Sequence, residues 1–267
     1  MNSETRPGTL RRSNGATIAY RTIPGKSPGI VFMTGYRSRM EGAKALALEA
    51  YARSAGRAFT RFDYQGHGES EGDFESANLS TWIGDALAVV DEVTSGPLVL
   101  AGSSMGAWIM LRVALARPQR VAGLLGIASA PDLTKTLMWD LFDDDLRGKI
   151  MAGEVLRFPS GEGDSETVIT KAIIEDGLQH LVLDGPIPIR VPVRLLHGLA
   201  DQTVPWTLSE ILLAQLESAD ASLTLIKDGG HRLSKPHELG LLVQTMDGLC
   251  RIAESQSPDA SADKPSR

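Results

Sequence analysis

The chain has 267 residues, 42% of them hydrophobic, which suits one large α/β domain with an insertion better than two independent domains. A net charge of -6 gives no electrostatic basis for nucleic acid or an anionic membrane surface as partner and favours small or acyl molecules instead. Cys250 is the single cysteine, so an internal disulfide is excluded. No cluster of Cys and His has metal-ligand spacing, so no metal or other cofactor is expected.

Cys250 ends an apolar pattern and reads as a small core residue. No run approaches the roughly 20 apolar residues that span a bilayer, which argues against membrane insertion. The first 15 residues are polar, with Arg6, Arg11 and Arg12 beside Glu4, and make a poor transit peptide. These features together predict a cytoplasmic protein, and they leave the oligomeric state open.

Asn14-Gly15 lies between two short extended stretches within residues 9–20, which predicts an antiparallel hairpin. Ile30-Val31-Phe32-Met33 is a continuous apolar run of the kind a buried parallel strand shows, and it ends at Thr34-Gly35-Tyr36. Residues 44–54 read as a helix stopped by Gly56, residues 58–62 as a strand, and residues 63–70 as a glycine-rich loop. Residues 79–93 form an amphipathic pattern, with Asn78 or Ser80 as cap and Gly96-Pro97 as stop.

Leu98 to Ala101 is a short apolar run, and residues 105–116 carry apolar side chains at helical spacing. Between them stands Gly102-Ser103-Ser104-Met105-Gly106, a G-x-S-x-G pattern. With 27 glycines in the chain, about 0.2 such matches arise by chance, so the bare pattern is weak. The strand before it and the helix after it supply the context that its mechanism requires. Ser104 is thereby the candidate nucleophile on a strained turn, and the Met105 N–H a candidate oxyanion donor at a helix N-terminus.

Residues 121–128 read as another strand. The alternation then breaks between Pro131 and Pro188, where three helical fragments are expected at residues 134–141, 145–155 and 166–183, with no strand signal. We read residues 131–188 as a helical cap over the strand ends. Its Met138, Trp139, Leu141 and Phe142 either line an acyl pocket or pack the cap onto the core. Alternation resumes with strands at 191–196 and 223–226 and helices at 206–218 and 236–252. The core is thus residues 1–130 and 189–252, and the Ser-, Ala-, Asp- and Pro-rich residues 253–267 read as a disordered tail. Strict alternation predicts an α/β fold with a mostly parallel sheet covered on both faces.

A serine hydroxyl needs a base, and imidazole is the usual one. Among five histidines, His231 follows the last strand in Asp228-Gly229-Gly230-His231, where the two glycines would let the loop reach Ser104. His67 and His197 sit beside glycines and read as turn residues, and His180 and His237 as solvated helix-surface residues. The acid should follow the preceding strand, which selects Asp201 over Asp228, a residue only three positions from His231. The loop after the first parallel strand offers the Tyr36 N–H as second oxyanion donor, with Arg37 as the runner-up.

Gly35-Tyr36, Asp63-x-x-Gly66-x-Gly68-x-Ser70, Gly102-x-Ser104-x-Gly106, His197-Gly198-x-x-Asp201-x-x-Val204-Pro205 and Gly230-His231 together resemble the α/β-hydrolase superfamily. Arg61-Phe62-Asp63-Tyr64, the stretch from Gly102 to Trp108, Ala116-Arg117-Pro118 and Arg194 to Gly198 are similar to mitochondrial palmitoyl-protein thioesterases of that superfamily, which also act as acyl-glucuronide esterases. The likeness covers residues 16–252. It implies a helical-capped α/β-hydrolase fold and a cofactor-free serine thioesterase or esterase with Ser104, Asp201 and His231 as triad. Its substrate would be a small molecule or an acylated protein. A carboxylesterase for small esters or acyl glucuronides, and a non-catalytic binding module on the same fold, are the alternatives.

Overall fold

The computed structural model describes residues 4–159 and 166–256. Eight strands form the main sheet: β1 (Arg6–Arg11), β2 (Thr17–Ile23), β3 (Lys26–Met33), β4 (Arg57–Phe62), β5 (Leu98–Ser103), β6 (Val121–Ile127), β9 (Val193–Gly198) and β10 (Ala221–Ile226), with β7 and β8 elsewhere. Their order is β1-β2-β4-β3-β5-β6-β9-β10. The β1–β2 and β2–β4 pairs are antiparallel, and every pair from β4 to β10 is parallel.

Strand residues alternate between two cores, as a pleat with period two requires. Val31, Met33, Leu98, Leu100, Leu124 and Leu195 face one side, where helices α2 (Leu79–Ala88) and α3 (Met105–Ala116) cover them with Trp82, Ile83, Ala86 and Trp108. Ile30, Phe32, Val99, Ala101, Leu125 and Leu196 face the other, against α1 (Ala43–Ser54) and α7 (Pro236–Ser255). This explains the unbroken apolar run of β3, since no face of it meets water. Cys250 lies in the second core, and burial pushes its thiol up to about 11.

Helix ends follow their expected signals. Asn78 accepts a hydrogen bond from the Thr81 N–H at 2.9 Å and starts α2, and Gly56 takes a φ of 66° just beyond α1. Helix α7 runs three residues past its expected end, so the tail reading applies to residues 257–267, which lie outside the described residues.

Between β6 and β9 the chain departs from expectation. A helical turn over Thr134–Met138 and α4 (Asp144–Met151) fit the helical reading, but β7 (Leu156–Pro159) and β8 (Glu166–Ile169) form an antiparallel ribbon before α5 (Lys171–Gly177). Thr167, Val168 and Ile169 are β-branched and favour extended backbone, and Gly153, at φ 94°, ends the helical stretch early. At the neck of this segment the buried Asp132 carboxylate accepts the N–H groups of Val182 and Leu183, both at 2.9 Å, tying its exit to its entry. Ile150, Ile169, Ile173, Ile174 and Val182 join the core beneath α2 and α3. The remaining helix, α6 (Thr207–Gln215), links β9 to β10.

Candidate active site

Strand β4 lies to one side of β3 and β5 to the other, so the chain reverses direction across the sheet at β3. A crevice opens at the carboxyl ends of strands on either side of such a switch. The loop after β3 and the turn after β5 both end there.

That turn carries Ser104 at φ 55° and ψ -122°, a strained conformation for a residue with a Cβ. Its tightness comes from Gly102 and Gly106. A Cβ on Gly102 would come within 2.6 Å of Ala107 Cα, and one on Gly106 would overlap the carbonyl oxygens of Met33 and Thr34. The Ser104 N–H is tied to the Ile127 carbonyl at 2.9 Å, while its side chain remains partly exposed. Ser103, one residue earlier, is buried at the end of β5. The Met105 N–H falls in the first turn of α3, where the helix offers no acceptor.

The loops after β9 and β10 bring Asp201 and His231 together. His231 Nδ1 donates to Asp201 Oδ2 at 2.8 Å, which leaves Nε2 as the free edge of the ring. Asp201 Oδ1 accepts the N–H groups of Thr203 and Val204, each at 2.8 Å. Burial alone would raise the Asp201 pKa, but the hydrogen bonds from His197, His231 and the Val204 N–H outweigh it and hold the carboxyl well below the usual range. Asp228 is exposed and its carbonyl accepts from Lys235, so the carboxylate on His231 is that of Asp201. The two loops meet through backbone, with the Ala200 N–H on the Gly229 carbonyl at 3.0 Å and no room for a Cβ on Gly198. No hydrogen bond joins the Ser104 hydroxyl to His231 among the described residues.

On the opposite flank, Gly35 would place a Cβ only 3.3 Å from Ser104 Cβ, which sets the loop after β3 against the serine. The Arg37 N–H donates to His67 Nε2 at 3.1 Å, so this runner-up donor is occupied, whereas the Tyr36 N–H meets no acceptor among the described residues. The Tyr36 ring packs edge-on against Phe74 and Trp82 at 5.1 and 5.9 Å between centroids, and its hydroxyl donates to the Val168 carbonyl on β8.

Three sequence readings need correction or addition. His180 is not solvated: its Nε2 lies 2.7 Å from Ser80 Oγ, its carbonyl accepts from Trp108 Nε1 at 3.0 Å, and burial lowers its pKa. Leu141 is 71% exposed, while Trp139, under Arg147, and Phe142, stacked on Phe158, pack against the main core, which fits the packing reading for these two and not for Leu141. His197, read as a turn residue, is fully buried with its Nε2 3.2 Å from Asp201 Oδ2. Only the i, i+4 spacing of His197 at the end of β9 and Asp201 in the loop after it hinted at that contact.

The sheet order and the serine turn define an α/β-hydrolase fold, and the relatives make it an enzyme that cleaves ester or thioester bonds. Residues 29–148 match the family model described as serine aminopeptidase, S33. The palmitoyl-protein thioesterase ABHD10, mitochondrial, of Pongo abelii is 39% identical over 241 residues, covering 90% of this chain and 78% of that protein. The structure of alpha/beta hydrolase domain-containing protein 10 from mouse superposes with a TM-score of 0.85 at 39% identity, over 91% of this chain and 98% of that one. A putative hydrolase from Agrobacterium vitis S4 superposes at 0.88 with 35% identity, over 94% and 100%. The chain belongs to the ABHD10 family of α/β-hydrolases.

The relatives overturn the cytoplasmic placement, since their names assign them to mitochondria. That expectation rested on the polar opening residues, the single cysteine and the lack of a spanning apolar run, and the last two suit any reducing compartment equally. Among the described residues no helix is long and apolar enough to cross a membrane, and no group of three or more His, Cys, Asp or Glu could hold a metal ion.

Proposed function

We propose that the chain hydrolyses long-chain acyl thioesters, with Ser104, His231 and Asp201 as catalytic triad and the N–H groups of Tyr36 and Met105 as oxyanion hole. The observation that carries this reading is the 2.8 Å contact of His231 Nδ1 with Asp201 Oδ2, which aims Nε2 away from the acid. His231 Nε2 takes the proton of the Ser104 hydroxyl as Oγ attacks the acyl carbonyl. The tetrahedral oxyanion forms between the two N–H groups and collapses, and the leaving thiolate takes the proton from His231. Water, deprotonated by the same imidazole, then releases the fatty acid and restores Ser104.

We place residues 131–188 as the cap that receives the acyl chain. The Tyr36 hydroxyl on the Val168 carbonyl supports this, because it sets β8 beside the proposed oxyanion loop. The thioester preference draws on the relatives named palmitoyl-protein thioesterases.

Fluorophosphonate labelling should mark the wild type and vanish in Ser104→Ala, with turnover down at least about 10⁴-fold. Labelling that persists in the variant removes Ser104 from its role. In kcat/KM, palmitoyl thioesters should exceed short p-nitrophenyl esters, and the reverse order would indicate a carboxylesterase for small esters.

A further inference from the structure

We propose that His197 is a positioning residue of this site, a second imidazole locked in one tautomer that fixes the carboxylate on which His231 depends. The inference rests on reading Asp201 as the triad acid.

The surroundings of His197 leave one assignment for its proton. Nε2 faces two acceptors, Asp201 Oδ2 at 3.2 Å and the Val204 carbonyl at 3.0 Å, so it carries the hydrogen. Nδ1 faces the Ser209 hydroxyl at 2.7 Å, which donates to it and keeps it an acceptor. His197 and Ser209 are both 0% exposed, so no solvent compensates a wrong tautomer, which would set a ring lone pair against the carboxylate. Among the described residues, Asp201 is the charged side chain that His197 hydrogen-bonds.

The consequence falls on Oδ2. Backbone N–H groups of the acid loop fix Oδ1, but Oδ2 is shared between His197 and His231. A turn residue would need only the bond to the Val204 carbonyl. The additional bond holds the carboxylate plane against rotation and draws charge from the oxygen that stabilises the His231 imidazolium. Without it the carboxylate tips, and the remaining charge concentrates on His231.

Three variants test this with a soluble chromogenic ester. His197→Asn cannot reach Oδ2, so kcat should fall about tenfold with KM within twofold, and the acid limb of kcat/KM should rise by about half a pH unit. His197→Gln places an amide N–H where Nε2 stood and should recover most of both. Ser209→Ala removes the donor to Nδ1 and loosens the ring without touching Asp201, and should shift the downfield imidazole N–H signal of His231 while lowering kcat severalfold. Unchanged kcat, acid limb and imidazole signal in the Asn and Ala variants would overturn the proposal. If His197→Asn fails to fold, Ser209→Ala decides on the same readouts. Asp201→Asn serves as the control: if it retains near wild-type turnover, the triad reading has failed, and this inference falls with it for a separate reason.

Discussion

The two flanks of Ser104 are held in different ways. On the side of β9 and β10, two loops meet backbone to backbone, through the Gly198 and Gly229 contact and the Ala200 N–H, and place Asp201 against His231. On the side of β3 the backbone also lies close at Gly106 and Gly35, but the loop beyond Gly35 is tied by side chains: His67 takes the Arg37 N–H, and the Tyr36 hydroxyl reaches the β6–β9 segment. Backbone contacts in a close-packed interior leave little room to adjust, whereas a side-chain tether can lengthen or swing. The proposed acid and base are therefore fixed before any substrate arrives, while the proposed oxyanion side can respond to what the β6–β9 segment holds.

The largest expected effect breaks the rigid flank. A Cβ on Gly198 would overlap the Gly229 carbonyl, so Gly198→Ala must part the two loops. It should cost about 3 kcal/mol or more, lower Tm by roughly 6–12 °C, and abolish turnover. Gly230, with nothing near its Cβ position, supplies the contrast: Gly230→Ala should leave Tm within about 2 °C. Equal melting curves for the two variants would show that the flank tolerates separation. The result also sharpens the sequence reading of the Gly229-Gly230 pair, in which only the first glycine is required by close approach.

The next effect is on the other flank and depends on pH. Burial lowers the His67 pKa to about 4, with the Gln65 carbonyl partly opposing and Arg37 adding to the drop. The folded chain thus refuses a proton that the unfolded chain accepts near pH 6.5. Stability falls as pH drops below 6.5 and the loss is complete near pH 4, at about 3 kcal/mol. His67→Gln should remove that share of the acid slope in urea melts at pH 7 and pH 4. An identical slope in both proteins would mean that burial does not hold His67 neutral in the folded chain.

The rigid parts were the legible ones. The turn at Ser104 announces itself because Gly102 and Gly106 stand where any side chain would collide, and that demand is written at fixed spacing. The pairing of Asp201 with His231 followed from chain order, since each lies in the loop after a strand at the same sheet edge. The β7–β8 ribbon was missed because its strands are four residues each, too short for periodicity, with only the Thr-Val-Ile run as a signal. His180 and His197 were only partly legible for a different reason: some of the groups that surround them, Ser80 and Trp108 for one and Ser209 for the other, come from other elements. The tether from Tyr36 to Val168 spans 132 positions and leaves no trace in local sequence.

That tether yields the smallest and most discriminating effect. Tyr36→Phe keeps the ring against Phe74 and Trp82 and deletes only the hydroxyl donated to Val168. Loss of one neutral hydrogen bond is worth about 1 kcal/mol, so Tm should move by only a few degrees. If the β6–β9 segment steadies the oxyanion donor through this bond, kcat for a short ester should fall threefold to tenfold while KM holds, because the N–H acts on the transition state more than on the bound ester. If instead the tether only docks the segment, KM for a long acyl substrate should rise and kcat for the short ester should stay unchanged. The first outcome would make the flexible flank part of the chemistry, with acyl-chain binding and oxyanion stabilisation joined at one side chain. The second would confine the segment to substrate capture and leave rate to the rigid flank.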